Sequence, residues 1–399
     1  MTTVEQLKLG LESEYSDLLT PSYPRFSDIE IERRSQALDR MMAEEDLSAL
    51  IVAESMFAGS ATGWITGWPV TAEAVTLIRP NTRRRMFIQF YNHLPLAQQI
   101  AHGVVVEWGE AGSLQRAIDA IEASHSGKRR IGLIGRITAG QAATLAERFD
   151  VIDMNGAYVR ARLIKSDEEI RWLGLGAALT DLPMAALAEQ ARPGVSEREL
   201  HGHIQASYLS YGARNVIHFL HSTSMDAPDT AVPRQFASAR KLTEGDVLSA
   251  ELSVDYWGYS GQVLRTFFIG REPNALYREL HAAAEEVLDA VLAAVQPGAH
   301  ARDLVDASHR IEDSGFTIID DLVHGYGGGY LPPVLGSHSR PAAGGIPDVT
   351  LKANMALVVQ PNVVTRDGKA GVQTGHLVVV TDSGAKVLQR FPRGYQVVG

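Results

Sequence analysis

The chain has 399 residues, 45% hydrophobic and 21% charged, which excludes disordered and fibrous classes and favours two domains over one. It has no cysteine, which excludes a disulfide scaffold, a Cys-ligated zinc site, an iron–sulfur cluster and a thiol nucleophile. A formal charge of −10 disfavours nucleic acid and anionic membranes as partners.

In chain order, the opening MTTVEQLKLGLESEYSDLL is polar and lacks the apolar centre of a secretory signal. The longest apolar runs, such as Ala356–Val359 and residues 377–380, are far too short to span a bilayer, so a cytoplasmic setting without membrane is expected. Residues 28–47 predict an amphipathic helix, with Ile29, Ile31, Leu38, Met41 and Met42 at roughly helical spacing. Short β-like runs follow at 49–52, 74–78, 86–89, 104–108 and 130–134, with helical stretches at 113–123 and 139–148. Such alternation predicts an α/β domain ending near 151–154. Ser166 with Glu169, and Ser196 with Glu199, have capping-box spacing and open two further helices. Residues 274–295 and 301–314 read as helices closed by Gln296-Pro297-Gly298 and by Gly315. Strands are expected at 247–254 and 262–269 around a turn at Gly258 and Tyr259, then at 355–360 and 376–381. The stretch 381–384, TDSG, is a turn signal. Helices and antiparallel strands together predict an α+β domain.

Searches for general motifs find no GxGxxG opening a helix, no GxxxxGK[ST], no HExxH and no GxSxG. The glycines of GYGGG, 325–329, read as a tight turn or a close backbone approach. His201 and His203 stand two apart on a helix and read as surface histidines. His218 and His221 share a face only if their segment is helical.

Five phrases then occur in order: LIKSDEEIRWL, PRQFASARKLTEGDVLSAELSVDYWGYSGQVLRTFFIG, VHGYGGG, LKANMALVVQPNVV and GVQTGHLVVVTDSG. Together they resemble the C-terminal pita-bread domain of the creatinase / prolidase / aminopeptidase P family. Residues 61–68, ATGWITGW, resemble that family's N-terminal domain. The resemblance implies an α/β creatinase-like domain over 1–160 followed by an α+β pita-bread domain over 161–399. It also implies two divalent metals on five ligands, Asp, Asp, His, Glu and Glu, that activate a shared water. The matching positions here are Glu251, Gln262, Gly328, Gln360 and Gly375, so the chain reads as a member lacking the metal ligands. Creatinase, the metal-free branch, works with a His and carboxylates whose matching positions here are Arg234, Leu264 and Gln360.

The polar residues that the resemblance turns toward the cavity are Arg234, Glu251, Gln262, His324, Gln360 and His376, with Tyr326, Tyr330, Gln373 and His338 nearby. Their mutual satisfaction as a decayed site is one reading and a working site is the other. On the second, Glu251 is the base, His324 or His376 transfers protons, and Arg234 grips a carboxylate or pairs with Glu251. The expected function is metal-independent hydrolysis of a non-peptide C–N bond in a small polar molecule, without cofactor. Alternatives are a lyase using the same acid–base chemistry, a noncatalytic binding protein, or a metalloenzyme with relocated ligands Glu251, His324 and His376. A homodimer is expected from the resemblance, with Trp64 and Trp68 either at its border or in the core.

Overall fold

The computed structural model describes residues 2–55, 61–123 and 129–399. The chain forms two units, one of Pro21–Arg162 and one of Met1–Thr20 with Leu163–Gly399. The expected division thus shifts at its start, because the first residues belong with the second unit. The helix Val4–Glu14, opened by a Thr3–Gln6 capping box, buries Leu11, and Tyr15 behind it is buried too. A Cβ added at Gly174 would lie 2.6 Å from the Tyr15 hydroxyl, so the helix that carries Gly174 receives this segment closely.

Pro21–Arg162 is built on a mixed six-stranded sheet of β1 (Ala49–Ser55), β2 (Glu73–Ile78), β3 (Arg84–Ile88), β4 (Val104–Trp108), β5 (Arg129–Gly135) and β6 (Phe149–Asp153), in the order β4-β3-β2-β1-β5-β6. Alternation along β1 separates two cores. Leu50 and Val52 pack with Leu38, Met41 and Met42 of helix Asp28–Glu44, while Ala49, Ile51 and Ala53 pack with Leu114, Ile118 and Ile121 of helix Ser113–Glu122. Trp64 and Trp68 are both core residues of this unit.

The second unit is built on a sheet whose main path is β13-β12-β14-β16-β10-β8-β7. Its strands are β7 (Arg214–Ser224), β8 (Asp246–Tyr256), β9 (Tyr259–Ser260), β10 (Val263–Ile269), β12 (Val323–Tyr326), β13 (Tyr330–Leu335), β14 (Ala356–Val359), β16 (Gly375–Thr381), β17 (Gly384–Val387) and β18 (Gln396–Val398). A small separate pair joins β11 (Thr317–Ile318) to β15 (Val363–Val364). Trp257 and Gly258 turn β8 into β9 with φ of 52° and 89°, as a two-residue loop matched to strand twist requires. Ser166 and Ser196 cap the helices Asp167–Gln190 and Glu197–Tyr208 with their capping boxes complete. The stretch 301–314 is two short helices, Ala301–Asp306 and Arg310–Asp313, instead of one. Between them the Ser308 hydroxyl donates to the Val305 carbonyl at 2.7 Å, a local bond that competes with helix continuation.

The helices mark one face of the sheet. His218 on β7 meets His201 and Tyr208 of the helix Glu197–Tyr208, and Thr374 donates to Glu285 of the helix Ala275–Ala294. Because β7 is a strand, His218 and His221 face opposite sides.

Candidate active site

The register aligns side chains in rows across the other face. Glu251 pairs with Phe219 on β7 and with Leu264 on β10, and Leu264 pairs with Gly375 on β16. Gln360, just past β14, and His324, opposite Val358, fall on the same face. The positions of Glu251, Gln262, Gln360 and Gly375 are therefore brought together.

Glu251 is buried, and Gln262 Nε2 donates to its Oε1 at 2.8 Å. The same amide donates to Gln360 Oε1 at 3.1 Å, and Gln360 Nε2 reaches Asp320 Oδ2 at 3.4 Å. Burial, then the charges of Asp320 and Asp321, push the Glu251 carboxyl up to about 8. The shift favours the protonated form at neutral pH, the form that can serve as an acid, where the sequence suggested a base. Burial likewise raises Asp320. Gln262 occupies Oε1 as an acceptor, which leaves Oε2 to carry the proton.

Gln262 is itself held from behind. Gln389 Nε2 donates to the Gln262 carbonyl at 2.7 Å, while Gln389 Oε1 accepts from Leu377 N at 2.8 Å. Arg265, fully buried, donates to the carbonyls of Leu264 and Gly375 at 2.7 and 2.9 Å and to those of Phe391 and Pro392. The C-terminal segment thereby fixes the spacing of β10 and β16 beneath the site.

The other expected residues divide. His324 is buried and stacked on Tyr330, with ring centroids 4.4 Å apart, and burial holds its imidazole below the ordinary range. The Tyr330 hydroxyl donates to Asp321. The Tyr326 hydroxyl is occupied by Ser260 at 2.8 Å and Ser253 at 3.3 Å, which makes it part of the wall. Gln373 is buried two residues before Gly375. Three residues are not in the cluster. His376 pairs with Val263 and Val359 on the helix-covered face, beside Arg265 at 3.5 Å, and burial and that cation drive it down to about 2. It cannot shuttle protons to Glu251. Arg234 lies 3.7 Å from Asp229, half-exposed, and its ion pair is with that residue instead of Glu251. His338 pairs with Asp306 at 3.1 Å on the surface.

Sequence reasoning missed Asp320, Asp321 and Gln389. The acidic pair stands just before His324, and that adjacency was a usable signal; Gln389 acts only through tertiary contact and had none.

The site does not fit two divalent cations. Of the five matching positions two carry neutral amides that bond each other and two carry glycine, which leaves Glu251 as the one carboxyl among them. The relocated set Glu251, His324 and His376 is not assembled, since His376 faces away. Among the described residues no group of three or more His, Asp or Glu is placed to hold a metal.

A mainly antiparallel sheet with helices on one face and a polar row on the other defines an α+β domain. The model of metallopeptidase family M24 matches residues 175–382, just over half of the chain, and the chain belongs to that family. It is 24% identical over 270 residues to an Xaa-Pro dipeptidase of Pyrococcus furiosus, covering 66% of this chain and 74% of that protein. It is 26% identical over 254 residues to a creatinase of Bacillus sp., covering 61% of each. The prolidase structure of Thermococcus sibiricus superposes with a TM-score of 0.80 at 19% identity, over 93% of this chain and all of that one, a likeness of fold. The fold expected from the sequence, an α/β creatinase-like domain followed by an α+β pita-bread domain, is the one found.

The expected function is corrected by these likenesses. A metallopeptidase family and an Xaa-Pro dipeptidase relative point to hydrolysis of peptide bonds. Nothing in them supports metal-independent hydrolysis of a non-peptide C–N bond, and the lyase and noncatalytic alternatives go with that reading.

Proposed function

We propose that the chain hydrolyses the amide bond of a short peptide. The observation that carries this is a buried carboxyl, Glu251, linked through Gln262 and Gln360 to a second carboxyl, Asp320. Two carboxyls whose environments keep one protonated can divide acid and base work. Asp320 takes a proton from water as its oxygen attacks the carbonyl carbon. Glu251 gives its proton to the departing nitrogen. The C–N bond breaks, and the proton on Asp320 restores Glu251 after the products leave. The peptidase relatives support the choice of a peptide over other amides.

The test is a dipeptide panel that includes Xaa-Pro sequences, read by release of free amino acids, with and without added Mn²⁺. Glu251→Gln and Asp320→Asn are each expected to lower turnover about 10²-fold or more. Absence of cleavage across the panel, or a Glu251→Gln variant with full turnover, would overturn the proposal.

The composition and the family resemblance support a small-molecule substrate, a cytoplasmic setting and a homodimer as parts of the same proposal. Light scattering that gives a monomer at micromolar concentration refutes the last. No helix among the described residues is long and apolar enough to cross a membrane.

A further inference from the structure

A second polar row lies on the same face, one pleat from Glu251. Thr266 on β10 pairs with Ser249 on β8, and Ser249 pairs with His221 on β7. On the other side Gln373 exchanges two hydrogen bonds with the Thr266 hydroxyl, N–H donating at 2.7 Å and carbonyl accepting at 3.0 Å. Val364 bridges Gly371, and Val372 N donates to the Val363 carbonyl, so the register carried one residue on sets Asn362 opposite Gln373. The row therefore runs Asn362, Gln373, Thr266, Ser249, His221. On β10, β8 and β7 it lies two residues, about 7 Å, from the row of Leu264, Glu251 and Phe219, while a tight turn, Asn362 N–H donating to the Gln360 carbonyl at 2.7 Å, joins the two rows at their other end.

What sets this row apart is that the two side-chain amides at its end, Asn362 and Gln373, have no protein partners. Gln373 and Asn362 are each 1% exposed, and neither oxygen nor nitrogen of either side-chain amide has a hydrogen-bond partner. His221 is 2% exposed with Nδ1 unpartnered, its Nε2 lying 3.4 Å from Asp229. Buried amides that bond to nothing are rare in folded proteins and destabilise them. Two such residues directly opposite each other, beside the row that holds the acid, mark a place for a ligand.

We propose that Asn362 and Gln373 form a substrate subsite that recognises an uncharged amide group, the carboxamide or peptide group next to the bond under attack. Each side-chain amide offers one acceptor oxygen and two N–H donors, so the pair matches a group that both donates and accepts. A carboxylate or an ammonium would instead lose its hydration against neutral dipoles, with no opposite charge among these residues. The spacing fits: one pleat, about 7 Å, is about two Cα–Cα steps of an extended peptide. The preferred substrate on this reading is a peptide whose end at this subsite is blocked or continued. The inference rests on the proposed peptide chemistry for the kind of molecule bound, but its test does not require cleavage.

The probes are alanyl-proline amide, N-acetyl-alanyl-proline amide and free alanyl-proline, titrated calorimetrically into the Glu251→Gln protein, which keeps ligand intact whether or not the wild type cleaves it. The amides are expected to bind at least 10-fold more tightly than the free dipeptide. Gln373→Met and Asn362→Leu, close in volume and unable to hydrogen-bond, are each expected to weaken amide binding about 10-fold and to leave the free dipeptide unaffected. Removing an unpaired buried amide also predicts that both variants melt at or above the parent temperature. Equal binding of amide and free acid overturns the subsite. So does a variant that melts lower while binding the amide undiminished, the outcome expected if these groups hold only ordered water. A wild type that binds amides selectively without cleaving any peptide retains the subsite and refutes the hydrolytic reading alone.

Discussion

The protonated Glu251 makes a quantitative prediction that needs no substrate. The carboxyl moves from 4.5 to about 8 on folding, raised first by burial and then by Asp320 and Asp321. A raised carboxyl binds its proton more tightly in the folded state, so the associated stability is fully present below pH 4.5 and is lost as pH rises toward about 8. At ~1.4 kcal/mol per pH unit the whole window amounts to about 5 kcal/mol, and sharing of charge with Asp320 and Asp321 brings the expected term to roughly 3–5 kcal/mol. Glu251→Gln keeps the shape and lets Gln262 donate to the new amide oxygen as it does to Oε1, but it cannot ionise. Urea denaturation of both proteins at pH 5, 6, 7 and 8 isolates the term of Glu251 and the carboxyls coupled to it, since the titrations of all uncoupled groups cancel in the difference. The variant is expected to gain on the wild type steadily with pH, by roughly 3 kcal/mol or more across the series. A difference that stays flat within about 0.5 kcal/mol, or falls, means that Glu251 is ionised in the folded protein and the acid assignment is wrong.

Two more substitutions probe what holds the site in place. Arg265→Lys removes the planar fork that reaches the carbonyls of Leu264, Gly375, Phe391 and Pro392, and three donors on a point charge cannot replace it; a loss of roughly 3 kcal/mol or more in urea denaturation is expected, and a loss below about 1 kcal/mol would show that the fork is dispensable. Gly261→Ala would set a Cβ 2.5 Å from the Ala177 Cα and 2.7 Å from the Gly176 carbonyl, both backbone of the helix Asp167–Gln190, so a loss of about 2 kcal/mol or more is expected by the same measurement, and an unchanged midpoint would mean that helix and sheet can part freely.

What the sequence made legible was local or periodic. The capping boxes at Ser166 and Ser196 read correctly because an N-cap and its N3 partner are three residues apart and need nothing else. The turn after β8 was visible because Gly258 must adopt positive φ, though the turn centres on Trp257 and Gly258. The break at Ser308 was hidden, because the helical pattern continues through it and only the hydroxyl's own bond interrupts it. The first fourteen residues looked like a polar start, since Leu11 and Tyr15 show their burial only once the helix that covers them is in place.

The site shows the same division more sharply. Positions 251, 262, 360 and 375 are legible because the family resemblance fixes strand register, and register fixes which side chains share a face. His376 follows Gly375 directly, and that single step sends it to the opposite face, where Arg265 keeps it neutral. Its chemistry was right for a proton shuttle and its parity was wrong, which residue type alone cannot reveal. The electrostatic character of Glu251 was equally out of reach. Arg234 seemed its natural partner, and that pairing would have held the carboxyl ionised. Asp229 takes Arg234 instead, and Asp320 and Asp321 are the charges that act on Glu251, so the sign of the effect reverses. A carboxyl surrounded by neutral amides and further carboxyls retains its proton, and a site built around that proton must deliver it before it can accept one. On the proposed mechanism Glu251 therefore gives its proton to the leaving nitrogen once Asp320 has taken one from water, and it regains a proton from Asp320 only after the products have left.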